Sequence, residues 1–134
     1  MSGADIEVVK QYLDRARRSL HEANEVLNIN LADAAGRSAY LAAFHAAQAF
    51  VLLRSNRVAK THSGVRSEFS RLSRDDSNID REFRTFLAHA YDIKTFADYG
   101  ISVEGGINRE QARDAIDTAS RFIDCIAAVV ETSR

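Results

Sequence analysis

Residues 37–48 read RSAYLAAFHAAQ, a segment apolar on nearly every face of a helix that still carries Arg37, Ser38, His45 and Gln48. A helix hydrophobic all round belongs inside a bundle, so each polar group on it must be hydrogen-bonded or used. Around this segment the same seam, Ala35, Ala39, Ala42, Ala46, Ala49 and Leu53, is almost entirely alanine. Small side chains let neighbouring helices approach closely.

Working outward, the chain contains no proline and much alanine, which leaves long helices unbroken. Ile6, Val9, Leu13, Ala16, Leu20, Ala23 and Leu27 step by three and four, predicting a first helix from about Asp5 to Asn28. The central helix is predicted from about Leu31 to Ser55. A loop VAKTHSGV follows, with Thr61 or Ser63 placed to cap a short third helix carrying Val65, Phe69 and Leu72. Asp75 to Asn78 is expected to end that helix and cap a fourth, whose seam is Ile79, Phe83, Phe86, Ala90, Ile93 and Ala97 before Gly100. Gly105 and Gly106 make a turn. A last helix starts near Asn108, with Ala112, Ala115, Ala119, Phe122, Ile126 and Val129 on one side. The expected fold is all-α: one domain over residues 1–134, an antiparallel up-and-down bundle of four long helices and one short one.

Composition narrows the function. A net charge of −1 asks for neither nucleic acid nor an anionic membrane globally, so any electrostatic site must be local. One cysteine, Cys125, excludes an internal disulfide and reads as a small apolar residue between Phe122 and Ile126. No apolar run reaches the ~18 residues needed to span a bilayer, so a cytoplasmic protein without membrane contact is expected. Neither metal nor cofactor is expected. None of the four histidines has a glutamate three residues earlier, as a di-metal bundle requires, and no glycine-rich phosphate loop is present.

Three local features remain. The polar strip of Ser38, His45 and Gln48, with Arg37 beside it, is either a buried network that fixes register or a site. Asp98, in the last turn of the fourth helix, faces the negative end of the helix dipole at a cost of ~0.3 to 1 kcal/mol, partly offset by Lys94 one turn earlier. It is either a tether or, with Lys94 and Tyr99, the rim of a cleft. Arg54, Arg57, Lys60, Arg66, Arg71 and Arg74 stand against Glu68 alone, a belt that is solvated surface or a phosphate grip.

RSAYLAAFHAAQAF, then THSGVRSEF after a basic loop, then AYDIKTFADYG before a final amphipathic helix, resemble the small stand-alone HEPN domains (higher eukaryotes and prokaryotes nucleotide-binding). The resemblance spans essentially the whole chain. It implies a helical homodimer that binds a nucleotide or RNA, partnered with a minimal nucleotidyltransferase in a toxin-antitoxin-like pair. Many members are metal-independent endoribonucleases, using an arginine and a histidine four to six residues apart. In the matching segment KTFADYG, Lys94 stands where the arginine is expected and Asp98 or Tyr99 where the histidine is. The family's usual pair is therefore missing there, and the runner-up to a binding role is an active ribonuclease. Beyond these a structural dimerising bundle is the third reading. Arg84 and His89 match by count but fall mid-helix, ten residues upstream. The candidate catalytic residues are Asp98, Tyr99, His45 and His62; those for nucleotide or phosphate are Lys94, Arg37, Gln48 and Lys60.

Overall fold

A computed structural model describes residues 5–89 and 106–133. Among these every regular element is a helix, and the architecture is an all-α bundle. The order is α1 (Ile6–Asn28), α2 (Ala32–Ser55), α3 (His62–Ser73), α4 (described over residues 81–89) and α5 (Arg109–Thr132).

The helix starts follow from side chains that satisfy the first backbone N–H groups. Asp5 accepts from Glu7 N at 3.0 Å, and Thr61 accepts from Gly64 N at 3.0 Å. At α5 a reciprocal capping box joins Asn108 and Gln111. The expected cap of α4 within residues 75–78 is displaced. Asp76 instead closes a local turn by accepting from Asn78 N, and Asp80, immediately before the helix, accepts from Glu82 N at 2.9 Å. Only Asp80 adjoins the first helical turn, which is why it takes the role.

α2 is the central element and packs against α1, α3 and α5. Its alanine seam is buried from Ala35 through Ala49, and Tyr40, Ala43, Phe44, Ala47 and Phe50 bury its other faces. One aromatic chain then crosses the core: Phe50 meets Phe69 at 5.3 Å, Phe69 meets Phe122 at 5.2 Å and Phe122 meets Phe83 at 4.9 Å. Each such ring contributes ~1.5–3 kcal/mol on burial, so this chain holds four helices together. The α5 seam is buried throughout, and Leu87 joins Ile79 and Phe83 in the core.

Two polar ties fix the turns. Asp33 at the start of α2 accepts from Ile107 N at 3.0 Å, and a Cβ on Gly106 would stand 2.7 Å from the same carboxylate. With a φ of +76° besides, Gly106 has no room for a side chain. Arg109 donates to the Leu27 carbonyl at 2.7 Å and to Asn30 at 3.1 Å, covering the C-terminal end of α1. No described helix is long and apolar enough to cross a membrane.

Candidate functional site

The site starts from a steric requirement on α2. Its interior is apolar, so Tyr40 and Gln48, both buried there, must find partners beyond their own helix. The chain returning from α2 through residues 56–61 supplies them. Asn56 ends α2 in the left-handed region with φ 58°, which turns the chain back along the helix. Gln48 Nε2 donates to the Ala59 carbonyl at 2.9 Å, pinning the loop. Two residues on, Thr61 caps α3 and places His62 in its first turn, where the Tyr40 hydroxyl lies 2.6 Å from His62 Nδ1.

Phe44 is the hinge of the arrangement. The His62 ring packs on it at 4.6 Å and the His45 ring at 5.7 Å in an edge-on contact, so two histidines 17 positions apart share one aromatic neighbour. His45 Nδ1 in turn lies 2.8 Å from Gln48 Oε1. Both imidazoles are half-buried while Phe44 and Tyr40 are buried beneath them. Burial lowers the His45 pKa below its ordinary 6.5; the Gln48 hydrogen bond opposes that and the nearby Arg15 charge adds to it. His45 is therefore a neutral imidazole at neutral pH.

The sequence-derived candidates sort cleanly. His45, Gln48 and His62 converge. Gln48 is enclosed, with both ends of its amide engaged inside the protein, so it enters the site by orienting His45 and the loop. Lys60 is exposed on the loop between Ala59 and Thr61, beside the same cluster. Arg37 is half-buried on α2, two turns before His45, and adjoins a depression at the α1–α2 turn with Asn30, Asp33 and Ile107. Lys94, Asp98 and Tyr99 lie outside the described residues. Tyr40, Phe44 and Arg15 are members that spacing along the strip does not reveal. The available signal for Tyr40 was a phenol hydroxyl on an otherwise apolar helix, which needs a hydrogen-bond partner once buried.

Half of the basic belt is engaged in local arrangements. Arg71 pairs with Glu68 at 2.8 Å, one helical turn away, and Arg74 donates to Ser70. Arg54 lies over the Phe50 ring and reaches Asp76 at 3.5 Å and Ser133 at 3.3 Å. These three act within the fold; Arg66 Nε reaches the His62 carbonyl at 3.4 Å, and Arg57 and Lys60 are exposed on the loop before α3.

Within one chain Arg84 and His89 have separate surroundings. Arg84 Nη1 donates to the Ser73 carbonyl and to the buried Ser73 hydroxyl, both at 3.2 Å, and so closes the end of α3. Five helical residues turn the chain through roughly 140° net of a full circle. His89 accordingly lies exposed at an open depression with Asp80, Thr85 and Thr118. Cys125 is half-buried with its thiol 3.2 Å from the Asn78 carbonyl, and burial, with Asp76 and Asp80 nearby, raises its pKa. These surroundings disfavour the thiolate. Among the described residues no three metal-ligating side chains cluster.

The family described as HEPN domain matches residues 9–129. A UPF0332 protein of Thermotoga maritima is 27% identical over 125 residues, covering 93% of this chain and 92% of that protein. The crystal structure of TT1696 from Thermus thermophilus superposes with a TM-score of 0.67 at 20% identity, covering 90% of this chain and 96% of that one. That last similarity speaks to the fold alone.

Proposed function

This chain belongs to the HEPN domain family, and we propose that it binds a nucleotide or RNA where the middle of α2 meets the start of α3. The observation that carries the reading is the convergence of His45 and His62 on Phe44, beside the exposed Lys60. The apolar core beneath holds both imidazoles in fixed positions, and the positive end of the α3 dipole adds to the Lys60 charge. A phosphate meets the loop and α3 side; the sugar or base meets the histidines. Binding through phosphate weakens as salt rises. Calorimetric titration of a nucleotide panel and a short RNA, at low and high salt, tests this. Salt-sensitive heat that Lys60→Ala reduces supports it, while no heat with any of them leaves a structural bundle.

Family membership further supports a homodimer and a minimal nucleotidyltransferase as partner in a toxin-antitoxin-like pair, located in the cytoplasm. Light scattering that finds a monomer at high micromolar concentration overturns the first. Co-expression without complex formation overturns the second. The second functional reading is a metal-independent endoribonuclease, which the neutral His45 imidazole favours because a proton acceptor near neutral pH is what 2′-hydroxyl attack requires. Cleavage of RNA in the presence of a chelator, lost in His45→Ala, supports it; a folded protein that cuts nothing excludes it.

A further inference from the structure

Gln48 is almost completely enclosed, yet both ends of its amide are spoken for by groups of different kinds. One end lies 2.9 Å from the Ala59 carbonyl, the other 2.8 Å from His45 Nδ1. A carbonyl can only accept, so the amide nitrogen must face Ala59 and the amide oxygen must face His45. That oxygen is itself an acceptor. An unprotonated Nδ1 would set two lone pairs against each other at hydrogen-bond distance, so Nδ1 carries the hydrogen.

We propose that Gln48 is a positioning residue which, held by the Ala59 carbonyl, fixes His45 as its Nδ1–H tautomer and leaves the Nε2 lone pair as the acceptor the site presents. Free histidine prefers the opposite tautomer, so the arrangement is imposed by the protein. Burial holds the pKa of the half-exposed ring below its ordinary 6.5, so it is neutral at pH 7 and above, and among the described residues its Nε2 has no hydrogen-bond partner. An acceptor of this kind meets a hydroxyl or N–H donor and repels a phosphate oxygen. Under the nucleotide-binding reading, on which this step rests, His45 faces a ribose hydroxyl or a base N–H and the phosphate lies toward Lys60. The tautomer itself does not depend on that reading.

The clamp also joins the loop to the imidazole. Any shift of residues 56–61 that breaks the Ala59 bond frees the amide to rotate, and with it the hydrogen on His45.

Long-range proton–nitrogen correlation of the histidine side chains in nitrogen-15-labelled protein, at a pH above about 7 where an ordinary imidazole is neutral, reads the tautomer directly. The expected spectrum has a pyrrole-like Nδ1 and a pyridine-like Nε2 for His45. In Gln48→Leu the ring should relax toward the Nε2–H form and titrate at lower pH, because the bond that favours its charged form is gone. A pyridine-like Nδ1 in the wild type overturns the proposal, as does an unchanged tautomer in folded Gln48→Leu. Should that variant not fold, the wild-type spectrum decides alone. The predicted tautomer in a protein that binds no nucleotide would overturn the binding reading and leave the clamp intact; the opposite tautomer in a protein that binds does the reverse.

Discussion

Two regions of this molecule carry a histidine near groups that could make a site, and they are built in opposite ways. His45 and His62 come from different helices and meet on one buried ring, Phe44, with every buried polar neighbour engaged. Arg84 and His89 lie on one helix at a spacing that fits a ribonuclease pattern, yet one closes α3 against Ser73 and the other faces solvent. Spacing along a helix says which residues share a face only when it matches the helical repeat, and five residues do not. Convergence through the core is the harder condition to meet by chance, which is why the first pair carries the functional reading.

The sharpest way to break the comparison is to remove its hinge. Phe44→Ala deletes the ring that both imidazoles share and opens a cavity in the bundle, an expected loss of about 3–5 kcal/mol in denaturant unfolding. Ligand binding should vanish with it. Next in size, Arg84→Ala leaves the buried Ser73 hydroxyl without its donor and the Ser73 carbonyl with the Asp76 N–H alone, at about 1–3 kcal/mol. Binding by the folded fraction should be unchanged, since Arg84 serves α3. Lost binding with intact folding would move the site to α4.

A smaller effect separates the histidines by pH. The folded pKa of His45 lies below its ordinary 6.5, so as pH falls past that value the unfolded chain takes up the proton first and folded stability drops. The slope of melting temperature between pH ~7 and ~5 should flatten in His45→Asn. An identical slope would contradict the burial that the packing on Phe44 implies. Smallest of all, His89→Ala should change stability by no more than about 0.5 kcal/mol, as expected of an exposed side chain without a buried role.

The bundle was legible because its signals are local. Polar caps and the three-four step of apolar residues place both ends of α1 and α2 and the starts of α3 and α5 within a residue or so. Asp80 escaped because four polar residues, Asp75 to Asn78, offered an earlier and equally plausible stop. The site was legible only in part. His45 and Gln48 share a helix and an i,i+3 relation, so their pairing could be read from spacing. His62 and Tyr40 are 22 positions apart and meet only because Asn56 reverses the chain. The belt is legible to the same extent: the Glu68 partner of Arg71 is one turn away and visible, whereas Asp76 and Ser133, which hold Arg54, come from other elements.

The central claim is that a ligand meets the α2–α3 junction and not the α4 face. The four histidines, His21, His45, His62 and His89, make the test direct, because each lies on a different helix. Titration with a short RNA, followed through the carbon-bound ring protons, should move His45 and His62 and leave His21 and His89 in place. Shifts confined to His89, with His45 and His62 unmoved, would contradict the account.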